Sequence, residues 1–257
     1  MSASWSCSTK LAAIALVAAA GQTVAQQSQP QMQMLDPESA PTVRQPYNIE
    51  NFGEFRKLIQ RGDFGAKVLL DAVMAKHPTT GVGAVADARG EITIYDGKLI
   101  VSYGKDRARP HINSEAAALL TISSVGEWQS VRVDKDTAPE EIESYIAAAA
   151  KAHGIDPERS FPFELRGTVT SYLMHVNAAP TAGPHGMGLP IAITLVTRGD
   201  EIEGRVAGLY VSPDLVGIAT HGGERTHAHW VSPDGAATAH LDRWGLKTGA
   251  VLLLPEP

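Results

Sequence analysis

The sequence predicts an α+β protein built from mixed and antiparallel β-sheets with a few flanking helices. Two observations carry that expectation. In the second half, FPFELRGTVTSYLMHV, LPIAITLVTR, GRVAGLYVS, RTHAHWVS and GAVLLL are apolar, strand-forming runs separated by Gly, Pro and Asp turns. In the first half, GEITIYDGKLIVSYG brings two alternating runs together across Asp96-Gly97, residues that tolerate the positive φ of a tight hairpin turn.

The elements follow in chain order. Residues 1–25 read as a secretory signal: Lys10 precedes an apolar run from Leu11 to Ala20, and Thr23-Val24-Ala25 is a small-residue cleavage site. An exported protein, periplasmic or secreted, is therefore expected. The run is too short to span a bilayer, and no later segment offers the roughly 20 apolar residues of a membrane helix, so no stable membrane insertion is expected. Residues 26–48, rich in Gln, Pro and Ser, read as a flexible leader. The folded domain is expected over 49–257, as two coupled β-rich halves of about 49–160 and 161–257.

Two helices are expected to open it. Phe52, Phe55, Leu58 and Ile59 recur at helical spacing in NFGEFRKLIQRGD, and Pro78 closes KVLLDAVMAKHP. A third helix lies in DTAPEEIESYIAAAAKAHG. Thr137 or Asp136 would cap it, Pro139, Glu140 and Glu141 suit its first turn, Gly154 ends it, and its alanine-rich face would pack on the sheet.

Several function classes fall away. The net charge is −6, one unit more acidic once Lys10 leaves with the signal, and both signs are scattered, which argues against nucleic acid. The single cysteine, Cys7, lies in the signal, which excludes thiol catalysis in the mature chain. No Gly-x-Ser-x-Gly elbow, phosphate loop or dinucleotide fingerprint occurs, and the lysine-free GPHGMGLP reads as a turn.

The informative stretch is THAHWVSPDGAATAH, which holds three of the nine histidines. On a strand, His227 and His229 leave the same face. A two-residue loop centred on Pro233-Asp234 would set His227 directly across from His240, so that three imidazoles converge. Pro-Asp-Gly also suits a three-residue loop with a bulge, which would turn His240 to the other face. Three neutral imidazoles suit zinc, and also manganese, iron, nickel or copper, with positions left open for water or substrate. The bland alternative is a set of polar strand residues facing solvent.

GLYVSPDLVGIATHGGERTHAHWVSPDGAATAHLDRW resembles the C-terminal signature of the alpha-acetolactate decarboxylase family, in which a Pro-containing strand and a loop lead into HxH and a third histidine follows after the same gap. GEITIYDGK resembles the family's N-terminal strand, and the helix followed by FPFELRGTV fits its middle, so the likeness covers roughly Asn51 to Leu253. It implies a two-part α and β protein, often a homodimer, whose histidines hold Zn2+ while a glutamate and an arginine attend a small hydroxy-keto acid. Residue by residue, it implies His227, His229 and His240 as metal ligands and Glu91 as the N-terminal glutamate. Two departures stand out. GTVTSYLMHVN has His175 near the place of the family's arginine, and the family's C-terminal glutamate has only Glu256 as counterpart.

A 2-hydroxy-3-oxo acid can chelate a Lewis-acidic metal, lose carbon dioxide to leave an enediolate, and then needs a proton on carbon, for which Glu91 is the candidate donor and His175 a second catalytic candidate. The expected function is thus a metal-dependent carboxy-lyase turning acetolactate into acetoin. The alternatives are another metal-dependent lyase, a cupin-like isomerase or oxygenase, and an exported metal-binding protein of the same fold without turnover. The glutamate usual beside a cupin HxH is absent from VSPDGAATA. Among other residues, His77 and His153 read as structural at helix ends, and His111 has no informative setting. His221 is a candidate pocket residue, and Arg166, Arg205 and Arg225 are candidates for the missing positive charge.

Overall fold

The computed structural model describes residues 43–45, 47–104, 115–181 and 191–257. Two antiparallel sheets make up the fold. In the first, alternation in the sequence becomes a ladder of strands β1 (Val43–Gln45), β2 (Ile49–Phe52), β3 (Val68–Leu69), β4 (Thr80–Val85), β5 (Gly90–Tyr95), β6 (Lys98–Tyr103) and β7 (Ala116–Ser123). Their order is β1-β2-β7-β4-β5-β6, with β3 also pairing β7. The expected hairpin is present: Tyr95 pairs with Lys98, and Asp96 and Gly97 turn at φ 50° and 70°. Helices α1 (Phe55–Arg61) and α2 (Leu70–Met74) interrupt this sheet.

The second sheet contains β8 (Trp128–Arg132), β9 (Phe161–Thr181), β10 (Ile191–Tyr210), β11 (Thr226–Val231), β12 (Thr238–Leu246) and β13 (Val251–Pro255), in the order β10-β11-β12-β9-β13-β8. Because β10 also pairs with β9 along its length, β9, β10, β11 and β12 close into a ring. From Ile191 to Tyr210, the described parts of LPIAITLVTR and most of GRVAGLYVS belong to this one strand. Gly199 and Glu201 stay in register with Tyr172 and Thr170, because the continuous edge of β9 outweighs the local turn preference of Gly-Asp.

Other boundaries differ from expectation for similar reasons. β1 lies inside the expected leader of 26–48, held by pairing to β2. β8 pairs with β13, so the sheets divide between Ser123 and Trp128 and not near residue 160. Phe52 sits on β2, and α2 stops at Met74, before Pro78. α3 (Ile142–Ala152) follows a 3-10 turn at Pro139–Glu141, with neither expected cap in place. Asp136 accepts from the Thr248 amide at 2.8 Å instead, and Glu141 accepts from the Ala138 amide at 3.4 Å. Gly154, at φ 83°, follows the helix as anticipated.

Alternation gives the second sheet two apolar faces. One, with Phe163, Leu165, Trp230 and Leu241, packs against Ile142, Ile146, Ala149 and Ala150 of α3. Truncating the fully buried Ile146 to alanine should cost about 2–5 kcal/mol. The other face, with Ala207, Leu209 and Val231, meets Ile49, Val82 and Tyr95 of the first sheet. Histidines 227 and 229 leave this second face, which puts them between the sheets.

Candidate metal centre

Strand pairing brings the three histidines of the motif together, in a register other than the one the turn suggested. His229, not His227, lies across from His240. The ladder ends where the Ser232 amide bonds the Ala237 carbonyl, leaving a four-residue loop from Pro233 to Ala236. This is a slip of two residues, so His240 keeps the face the imidazoles share. β12 in turn sets His240 across from His175 of β9. One row of three strands thus carries His229, His240 and His175, with His227 one step along β11.

His227, His229 and His240 are buried, and their donor atoms lie within 4.8 Å of one another. His227 Nδ1–H donates to the Ala219 carbonyl at 2.9 Å, which leaves a lone pair on Nε2. His229 Nδ1 lies 3.0 Å from the Thr93 hydroxyl, which bonds Thr238, whose hydroxyl donates to the Trp230 carbonyl at 2.9 Å. With that end of the relay fixed, each hydroxyl donates onward and His229 Nδ1–H donates to Thr93. The Nε2 atoms of His227 and His229 then face each other across 3.2 Å, both as acceptors, and His240 Nδ1 stands 3.4 Å from His229 Nε2.

Burial holds the imidazoles neutral. It brings His227 down to about 3 and takes His229 and His240 well below the ordinary histidine range, with neighbouring imidazoles adding to the effect. Neutral rings, with the His227 and His229 lone pairs facing each other across 3.2 Å and His240 beside them, fit a divalent first-row cation, whose charge would relieve the repulsion.

Glu91 reaches the same place from the first sheet. Ile92 and Ile94 fill the core behind β5, while Glu91 and Thr93 share the opposite face. The Glu91 side chain is not solvated: the residue is 2% exposed, accepts from the Asn177 amide at 3.0 Å, and lies 3.8 Å from His229 Nε2 and 3.9 Å from His175 Nε2. Burial pushes its carboxyl up to about 8, although the His175 charge and the Asn177 amide pull it back. His175 Nδ1 bonds both carboxylate oxygens of Asp242, at 2.9 and 2.8 Å. Burial opposes charge on His175, but the Asp242 hydrogen bond and the Glu91 field outweigh it and raise its pKa. Asp242 sits at a β-bulge in β12, where the ladder slips between Leu241 and Arg243.

A cavity of about 280 Å3 opens onto this cluster, with Glu91, His175, Asn177, His221, His227 and His240 in its lining. His221 packs tilted against Phe55 at 3.9 Å between ring centroids and lies 5.3 Å from His240. No lysine or arginine occurs among the described lining residues. Arg166 donates to the Tyr95 hydroxyl, Arg205 to the Pro233 carbonyl, and Arg225 to the Val211 and Pro157 carbonyls, so none of the candidate arginines lines the cavity. Glu256 is exposed, its amide bonded to the Glu127 carbonyl, and is also absent from the lining. His153 caps α3 through a bond to Ala149. His111 and all of GPHGMGLP lie outside the described residues. Thr93 and Asp242 were missed as site residues, although strand alternation places them two residues from Glu91 and His240 on the same faces.

The family model for alpha-acetolactate decarboxylase matches residues 57–253. The solved alpha-acetolactate decarboxylase of Bacillus subtilis strain 168 is similar, with a TM-score of 0.64 at 15% identity, covering 81% of this chain and 86% of that one. Acetolactate decarboxylase from B. subtilis subspecies spizizenii gives 0.62 at 15% identity, covering 81% and 86%. A Staphylococcus aureus protein of unknown function, similar to alpha-acetolactate decarboxylase, gives 0.59 at 12% identity, covering 80% and 84%. Identities this low speak for the fold alone. No curated protein matches the sequence. The family match, however, runs through Glu91 and every histidine of the cluster, and by it the chain belongs to the alpha-acetolactate decarboxylase family.

Proposed function

We propose that the protein is a metal-dependent carboxy-lyase acting on a 2-hydroxy-3-oxo acid, with acetolactate giving acetoin and carbon dioxide. The observation that supports it best is the meeting, beside one cavity, of three neutral imidazoles with the buried Glu91 carboxyl, 3.8 Å from His229 Nε2. His227, His229 and His240 would hold the metal, with zinc first among the candidates. Bound there, a divalent cation would supply Lewis-acid stabilisation of the negative charge that decarboxylation leaves on the substrate oxygens.

The remaining work falls to the chain's own side chains. His175, held by Asp242, offers a positive charge beside Glu91 and is the candidate partner for the substrate carboxylate in place of an arginine. As the bond from C2 to the carboxylate breaks, its electron pair passes into the adjacent ketone, giving an enediolate, and carbon dioxide leaves. Glu91 then delivers its proton to carbon and recovers one from water. Its position suits Glu91 to this role, because it faces His229 and His175 from the cavity lining, within reach of a substrate held there.

The test is elemental analysis of protein purified from Gln26 onward, beside the His227→Ala/His229→Ala double variant, with release of carbon dioxide from acetolactate assayed on both. One stoichiometric metal and turnover, both lost in the variant, would support the proposal. A bound metal without turnover on any hydroxy-keto acid would leave the binding-protein alternative. Export and a homodimer belong to the same proposal, and are checked by the N-terminal residue of the secreted protein and by its mass in solution.

A further inference from the structure

We propose that the favoured substrate carries an apolar arm longer than methyl, seated against α1. This rests on the decarboxylase reading for the chemistry of the acid's head, and on the cavity for the arm.

The cavity is two-sided in character. Its polar side chains are those of the histidine cluster, Glu91, Asn177 and Thr194. Around them stand Phe55, Leu58, Ile59, Phe64, Ala84 and Leu119. Phe55, Leu58 and Ile59 fall at i, i+3 and i+4 of α1, so one helix face forms much of this wall. Leu58, Phe64 and Leu119 pack with Phe55 as a cluster separate from the main core, which makes the wall a built surface. The start of α1 is tied down by bonds from the Phe55 and Arg56 amides to the Ile218 and Gly217 carbonyls, in the loop that leads to His221. Apolar wall and polar end are thus held in a fixed relation, with Phe55 touching both.

Size points the same way. Pockets for drug-sized molecules begin near about 300 Å3. A cavity of about 280 Å3 exceeds the need of a five-carbon acid. A head that spends its oxygens on a metal, His175 and Glu91 leaves the apolar wall without a polar partner to offer. Ile59 is 65% exposed, a large apolar side chain that an alkyl or phenyl arm would cover.

The experiment compares 2-hydroxy-2-alkyl-3-oxo acids with methyl, propyl, pentyl and benzyl arms, beside a hydroxyl-ended arm of pentyl length. Specificity, as kcat/KM, should rise about fourfold for each methylene buried and fall back for the hydroxyl-ended arm. In Ile59→Asp the gain per methylene should collapse. A second readout is calorimetric binding of the matching 2-hydroxy-2-alkyl acids, which lack the ketone and cannot decarboxylate, to zinc-loaded protein. Affinity that rises with arm length, with a negative heat-capacity change, supports the inference even if no substrate loses carbon dioxide, an outcome that would sink only the decarboxylase reading. Best turnover and binding with methyl, declining as the arm grows, would overturn the inference and leave that reading intact. An unchanged slope in Ile59→Asp would also count against the proposed wall.

Discussion

Glu91 and Glu164 are both 2% exposed, both lie on strands facing the space between the sheets, and burial raises both pKa values, to about 8 and about 7. Their surroundings differ. Glu91 faces His229 and His175 in an open cavity. Glu164 accepts a long bond from the Asp96 amide at 3.4 Å, beside Tyr95 and Arg166, where the first hairpin abuts β9. A raised pKa therefore does not mark a catalytic acid by itself. The partners and the access to a ligand do.

The largest expected difference is in rate. Glu91→Gln removes the proton donor and should lower kcat about 10²- to 10⁴-fold while metal stoichiometry is retained, whereas Glu164→Gln should change kcat by less than about tenfold. Steady-state kinetics with elemental analysis would decide it, and equal losses in the two variants would erase the distinction.

Next comes stability against pH. Folded Glu164 keeps a proton that the unfolded chain gives up from about pH 4.5, so stability should fall as pH rises from there through about 7, by up to roughly 3 kcal/mol, and level off above. Glu164→Gln keeps an acceptor for the Asp96 amide and should remove this component, leaving the variant more stable than the parent at pH 8. Denaturant unfolding at pH 5 and pH 8 measures both arms.

A smaller effect is expected one step behind the metal. Thr93→Val takes away the acceptor that fixes the His229 tautomer and should weaken metal affinity about 10- to 100-fold, with Thr93→Ser restoring most of it. Competition with a chelator of known affinity reads the change. Smallest of all, Tyr95→Phe beside Glu164 should cost about 1 kcal/mol through the lost Arg166 bond, with metal affinity unmoved.

What could be read from the sequence was local. The Asp96-Gly97 hairpin, the shared face of His227 and His229, and the backing of Glu91 by Ile92 and Ile94 all follow from alternation over a few residues. Two things needed the fold. His175 joins His240 through pairing of β9 with β12, and the α1 wall of the cavity depends on bonds to Gly217 and Ile218. The first helix forms where its apolar spacing placed it, with Leu58 buried and Ile59 exposed, but nothing within NFGEFRKLIQRGD says that its apolar face meets a histidine cluster. The His227 to His240 pairing failed because Ser232-Pro233-Asp234-Gly235 closes its own turn inside a longer loop, with the Gly235 amide on the Ser232 carbonyl.

That longer loop makes the site depend on parity. A strand shows the same face at every second residue, so adding or removing two residues between Ser232 and Ala237 could let β12 slide along β11 and still present His240 to its partners. A single insertion or deletion would send the imidazole to the α3 side unless a bulge absorbed it. Among descendants of this chain, length variation in the tip should therefore be inherited in even steps, and grafts into the loop should obey the same count.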